Sequence, residues 1–202
     1  MNGKHSLSPG HLGFRQWRTG DYSWQRRRAA DVLRKGGLVV HATEAVFGIA
    51  ASIYAPAAAE RMAKLKHRHG VKPFLVIVGE MQQVRELVSL KTQYINEIEE
   101  SWPGPNTWIF PRLAGVPAWI GDEHGRLAIR LTGHPQARAL ALEAGPIFST
   151  SANLKGRRPA KSLLQARTQL RDRVDIFLPG SLGNAARPSR IRDGLSGELI
   201  RK

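Results

Sequence analysis

The 202-residue chain contains no cysteine, which removes disulfides, thiolate nucleophiles and cysteine-ligated metal sites together. No apolar run approaches membrane-spanning length. The opening stretch, MNGKHSLSPGHLGFRQW, lacks the apolar segment of a secretory signal, so a cytoplasmic address without a membrane partner is expected. There is no GxxxxGK phosphate loop, no GxGxxG after a strand, no GxSxG elbow and no HExxH pair. The standard nucleotide, hydrolase and zinc-protease signatures are thereby absent. Acidic residues are also scarce, 16 against 31 Lys and Arg, giving a net charge of +15. Such a field calls for an anionic partner.

The charge is uneven. Residues 1–28 carry six Lys/Arg against one acid, residues 155–202 twelve against four, and residues 29–154 thirteen against eleven. The basic ends flank a nearly balanced middle. With 42% hydrophobic residues and no internal repeat, the chain is long enough for one buried core. Residues 1–24 lack any clean period and read as a weakly ordered N-terminal extension. From residue 25 onward the pattern is regular. Helices are expected over 28–33, 57–66, 81–90, 92–100, 135–144 and 163–171, with strands over 38–40, 73–78, 107–110, 127–131, 147–148, 174–178 and 190–192. Helices interleaved with strands give an α/β domain, and connections too short for crossovers make the sheet mixed.

Several polar groups need explaining, and each has an ordinary alternative. Thr43-Glu44 follows the first core strand and reads as a cap or turn stabiliser, or as one edge of a site, with Gly48 allowing a tight backbone path nearby. Lys66 and Arg68 lie two apart and do not share a helix face. They form either a solvated basic surface or, if the helix ends near Lys66 and Arg68 sits on the loop, a convergent pair for a polyphosphate. His67 and His69 flank Arg68, but a third ligand is missing and the guanidinium repels a cation, so no protein-held metal is expected. In the 127–131 strand Leu127, Ile129 and Leu131 share one face and Ala128, Arg130 and Thr132 the other. Arg130 therefore points to water or into a concave site, where its fork suits a carboxylate. The run STSAN, residues 149–153, is a strand-end cap or a pocket wall; Ser149 and Ser151 point the same way only if strand geometry continues past Phe148.

Taken in order, HATEAVFG, KLKHRHGVKPFLVIV, WPGPNTWIFP, LAIRLTGHP, STSAN and RPSRIRDGLSGELI resemble the YrdC/Sua5 family in its short, single-domain TsaC-type form, the threonylcarbamoyl-AMP synthases. The resemblance implies a YrdC-like domain over residues 25–202, an α/β fold with a twisted mixed sheet flanked by helices and an open, concave, basic site. It implies synthesis of L-threonylcarbamoyladenylate and pyrophosphate from L-threonine, bicarbonate and ATP, for the t6A modification at tRNA position 37. By the same resemblance Lys66 and Arg68 are the catalytic cations on the ATP phosphates. Thr43, Arg130 and Ser149 take threonine, with Glu44 a further participant. Ser151, Asn153, Pro159 and Ser189 border ATP. Mg²⁺ is expected as the companion of ATP, and downstream threonylcarbamoyl-transfer proteins as partners.

The chain departs from the family pattern at His41-Ala42, where an aromatic residue and a proline are usual, and at His69, where a proline is usual. Asn106 and Lys155 also replace an apolar and a small residue. A second reading is a non-catalytic binder of tRNA or double-stranded RNA, gripping phosphates through its basic termini and Arg157, Arg158, Arg171, Arg173, Arg187 and Arg190. A third is a related carbamoyl-adenylate enzyme, known in much longer chains.

Overall fold

The structure, a computed structural model, describes residues 23–68, 74–185 and 189–201. The proposed extension, residues 1–24, lies outside these except for Ser23 and Trp24, which open the first helix; His69 and Arg187 also lie outside them.

Nine strands form one mixed sheet. In chain order they are β1 (Val39–Ala42), β2 (Phe47–Ser52), β3 (Leu75–Val78), β4 (Asn106–Pro111), β5 (Arg126–Leu131), β6 (Ile147–Ser151), β7 (Ile176–Phe177), β8 (Arg190–Asp193) and β9 (Leu199–Arg201). Their spatial order is β7-β1-β2-β6-β3-β5-β4-β8-β9. The α-helices are α1 (Ser23–Arg34), α2 (Pro56–Leu65), α3 (Met81–Leu87), α4 (Ile95–Ser101), α5 (Pro135–Ala144) and α6 (Leu163–Leu170). Pairs β1–β2, β2–β6, β3–β6, β4–β5 and β8–β9 are antiparallel, while β1–β7, β3–β5 and β4–β8 are parallel. The mixed α/β architecture expected from the spacing of helices and strands is the one observed.

Residues 47–52, which carry no expected element, form a strand. Gly48 lies inside β2, and all six residues of that strand are buried. Glycine, alanine and serine are poor strand formers, so FGIAAS lacks the β-branched signature that marks the other core strands. It pairs on both sides and is held by its neighbours. The helix expected over 92–100 begins later, at Ile95, and the one expected to reach residue 90 ends at Leu87, beyond which Val88 turns extended and bridges to Arg112.

Alternation along the strands sorts the sheet into two faces. Val40, Phe47, Ile49, Ala51, Val76, Val78, Ile129 and Phe148 enter the larger core, with Met62 of α2, Val84 of α3 and Ile98 of α4. Their alternates Val39, Ala50, Ile77 and Ile147 meet Ala29, Ala30 and Leu33 of α1 and Leu140, Ala141 and Ala144 of α5. This second cover spans only part of its face. Along the same strands the alternation continues to Gly48, Leu75, Ala128, Arg130, Ser149 and Ser151, which line an open cleft. The cleft is the uncovered part of the second face, so its polar side chains follow from sheet geometry.

Candidate active site

The cleft encloses about 360 Å³, within the range of small-molecule sites. Its lining includes Thr43, Arg68, Arg130, Ser149, Ser151, Pro159 and Ser189 among the residues singled out from sequence. Lys66 and Asn153 do not line it but stand directly behind its wall. β6 runs through Ser151, so strand geometry does continue past Phe148, and Ser149 and Ser151 share a face. The STSAN run is therefore part of the sheet, with its end built into a polar clamp.

That clamp is centred on Lys66. α2 ends at Leu65, Lys66 caps it, and Arg68 sits on the loop beyond, as a convergent pair requires. Lys66 Nζ donates to the carbonyls of Ser151 at 2.9 Å and Asn153 at 2.8 Å, and to Asn153 Oδ1 at 2.8 Å. Ser151 Oγ donates to the same Oδ1 at 2.6 Å, and Asn153 Nδ2 donates to the carbonyls of Leu154 and Arg157. Burial, with Arg68 adding to it, lowers the Lys66 ammonium to about 8. Arg68 is half-buried, its guanidinium 4.6 Å from the centre of the Phe74 ring, and it opens onto the cleft.

The opposite wall is a buried ion pair. Glu44 and Arg130 are 8% and 7% exposed, and Arg130 Nη1 donates to Glu44 Oε2 at 3.3 Å. Thr132 Oγ1 donates to Glu44 Oε1 at 2.6 Å. Burial alone would raise the Glu44 carboxyl, but Arg130 and the Thr132 hydroxyl outweigh it and hold the group below its usual range. Arg130 Nε is buried and has no hydrogen-bond partner among the described residues. A buried guanidinium with a free edge beside a cleft is an anion receptor.

Two hydroxyls, Thr43 and Ser149, face the cleft. Thr43 Oγ1 donates to the Val46 carbonyl at 2.7 Å, so Thr43 stabilises its turn while its lone pairs stay available. Ser149 Oγ lies 3.5 Å from His41 Nε2. Gly48 makes room for this arrangement, because a Cβ there would stand 3.0 Å from Ser149 Oγ and 3.1 Å from His41 Nε2. Further along the row Thr107 Oγ1 donates to Ser189 Oγ at 3.1 Å, and Arg201 Nη2 donates to the Ser189 carbonyl at 3.1 Å. The lining thus presents the guanidinium groups of Arg68, Arg130 and Arg201 against one carboxylate, Glu44.

The Sua5/YciO/YrdC family model, described as telomere recombination, matches residues 31–202. The chain belongs to the Sua5/YciO/YrdC family. It is 41% identical over 177 residues to a Methylococcus capsulatus protein named threonylcarbamoyl-AMP synthase, covering 87% of this chain and 95% of that one. A Nitrosococcus oceani protein of the same name is 39% identical over 181 residues, with 89% and 98% covered. Among solved structures, P. abyssi Sua5 complexed with L-threonine superposes with a TM-score of 0.78 at 26% identity, over 84% of this chain and 51% of that one. E. coli YciO shares the fold with a TM-score of 0.79 at 22% identity, over 89% of each chain.

Four residues in or beside this cleft have no functional signal of their own in the sequence. Thr107 and Thr132 were legible only as strand alternates. Arg201 sits on a three-residue edge strand, too short to carry a period. His41 was noted only as a departure from the family pattern, yet it is wholly buried. Among the described residues no helix is long and apolar enough to cross a membrane.

The buried imidazole gives a pH prediction. Burial, followed by the neighbouring His134, lowers His41 from 6.5 to about 4, while the Ala42 carbonyl and Glu44 oppose the change. Between these values the unfolded ring takes a proton and the folded ring does not. Stability is therefore full above pH 6.5 and falls as the pH drops, by about 2 kcal/mol at pH 5. Urea unfolding at pH 7.5 and pH 5 measures the drop, and His41→Phe should flatten much of it. An equal drop in that variant would assign it elsewhere.

Proposed function

We propose that the protein is a threonylcarbamoyl-AMP synthase, making L-threonylcarbamoyladenylate and pyrophosphate from L-threonine, bicarbonate and ATP for tRNA modification. The observation that carries this reading is one cleft holding a buried guanidinium whose Nε has no partner among the described residues, the Thr43 and Ser149 hydroxyls, and two further arginines. The first two suit the carboxylate and amino groups of an α-amino acid; the arginines suit phosphates.

The threonine amine adds to carbon dioxide and loses a proton, or condenses with bicarbonate and loses water, to give a carbamate. A carbamate oxygen attacks the α-phosphorus of ATP, and the bond to the β-phosphate oxygen breaks, releasing pyrophosphate. Both reactants are anionic, so positioning and charge neutralisation do most of the catalytic work. Arg130 binds the threonine carboxylate, and Thr43 and Ser149 accept from its amino group. Arg68 faces the phosphates, with Arg201 as a second cation. Lys66 holds Ser151 and Asn153 in place behind the cleft wall. Pro159 and Ser189 border the nucleotide. These roles are ours, supported by placement and by the family's motifs.

The residues do not fit a protein-held Mg²⁺. Among the described residues Glu44 is the only carboxylate in the lining, where it is committed to Arg130 and Thr132, and no cluster of three His, Asp or Glu is present. Mg²⁺ belongs to this reading only as the counter-ion that ATP brings.

The test is pyrophosphate release from ATP and bicarbonate with and without threonine. Release only with threonine is expected; release indifferent to the amino acid would point to another carbamoyl-adenylate chemistry. A binding-only role is the second reading, favoured by the exposed Arg157, Arg158, Arg171, Arg173 and Arg190. Salt-sensitive tRNA binding without any pyrophosphate release would select it. Such a surface is also compatible with an enzyme that hands its product to transfer proteins acting on tRNA.

A further inference from the structure

His41 belongs to no role assigned so far. It lies on β1 opposite Gly48 of β2, wholly buried, with Ser149 Oγ of β6 within reach of its Nε2. Its other nitrogen, Nδ1, is 3.1 Å from the Ala42 carbonyl, an acceptor, so Nδ1 carries the hydrogen. In the neutral ring Nε2 is then a bare lone pair aimed at Ser149. Among the described residues Ser149 Oγ has no other hydrogen-bond partner.

We propose that His41 is a positioning residue, which takes the Ser149 hydroxyl hydrogen and so fixes Ser149 as a hydrogen-bond acceptor for the amino group of the substrate. A free serine hydroxyl rotates and can donate or accept. Bound to His41 it can only accept from the cleft. An N–H donor is what the amino-acid nitrogen offers as ammonium, as amine and as carbamate, so the same contact serves throughout the reaction. The polarity also disfavours an oxygen acceptor in that place, which would leave two lone pairs facing each other. Burial keeps the ring neutral at physiological pH. That neutrality also makes His41 a poor general base, since a proton from the ammonium would have to move to a group far weaker in basicity. The histidine sets orientation rather than carrying the proton.

This inference rests on the amino-acid reading of the cleft, and the experiment separates the two. Steady-state pyrophosphate release is measured for wild type, His41→Phe, His41→Gln, Ser149→Ala and the His41→Phe/Ser149→Ala double variant. His41→Phe should raise the KM for threonine about 5- to 10-fold, the size of one hydrogen bond, while leaving the KM for ATP unchanged. In the Ser149→Ala background the same change should do nothing further. His41→Gln, whose Oε1 can accept the hydrogen, should restore most of the threonine KM. Additive losses, or an unchanged threonine KM in His41→Phe, would overturn the proposal. If wild type shows no threonine dependence, the substrate reading fails, and ¹⁵N NMR of the histidine ring still decides the pair. An unprotonated His41 Nε2 whose signal moves in Ser149→Ala supports it; a protonated Nε2 at neutral pH rejects it. The NMR measurement needs only wild type and Ser149→Ala, so it stands even if the His41 variants fold poorly.

Discussion

Glu44→Gln is expected to destabilise the protein by about 3–5 kcal/mol, because it leaves the Arg130 guanidinium buried without its counter-charge. Both side chains are almost enclosed, at 9% and 11% exposure, so solvent screens the pair little. The glutamine can still accept from Thr132, which makes the missing charge the main change. In a chain of this size such a loss lowers the unfolding midpoint by about 10 °C. The double variant Glu44→Gln/Arg130→Met removes both charges and should recover much of the stability while abolishing threonine-dependent synthesis. Calorimetry or urea unfolding of the three proteins measures this directly. A double variant no more stable than the single one would show that the ion pair is not the source. The pairing also bears on function: Glu44 occupies one edge of the guanidinium and neutralises part of its charge, while the free Nε edge is left for a substrate carboxylate. Receptor and counter-ion are built from the same contact.

Much of this arrangement was legible in the sequence, and its limits have physical causes. Leu127, Ile129 and Leu131 against Ala128, Arg130 and Thr132 is a period-two pattern, and it puts Arg130 on the polar face of its strand, the face that lines the cleft. Lys66 and Arg68, two apart, serve one ligand only if α2 ends near Lys66, and α2 does end at Leu65, although Arg68 alone of the two lines the cleft. β2 was not legible, because small residues buried on both faces carry no alternation. Its absence from the reading hid the meaning of Gly48, whose missing side chain keeps His41, Thr43 and Ser149 close together. The Glu44–Arg130 pair spans 86 positions in sequence, and the Lys66 clamp 85 to 87. Contacts of that range depend on the strand order β2-β6-β3-β5, which no local pattern encodes.

Arg68→Ala should lower synthesis by about 10²-fold or more, as expected for removing a charge stabiliser at a phosphoryl centre, and Lys66→Ala should lower it too, by loosening the wall that Lys66 holds. Their effects on the fold should differ. Arg68 contacts the Phe74 ring and otherwise faces the cleft, so its loss should cost less than about 1 kcal/mol of stability. Lys66 donates to Ser151 and Asn153 at the end of β6, and its removal leaves the Asn153 carbonyl without a donor among the described residues, while Asn153 Oδ1 keeps the Ser151 hydroxyl and the Ser151 carbonyl keeps the Asn153 N–H. Lys66→Ala should therefore lose about 1–3 kcal/mol as well. It should also loosen residues 151–157, because Asn153 is what ties the strand end to the Arg157 carbonyl. Hydrogen exchange of that segment separates the two cations: faster exchange in Lys66→Ala and unchanged exchange in Arg68→Ala are expected. Wild-type synthesis by a folded Arg68→Ala protein would remove Arg68 from the mechanism. A Lys66→Ala protein with native exchange but no activity would mean that Lys66 leaves its clamp when ATP binds and acts on the phosphates directly.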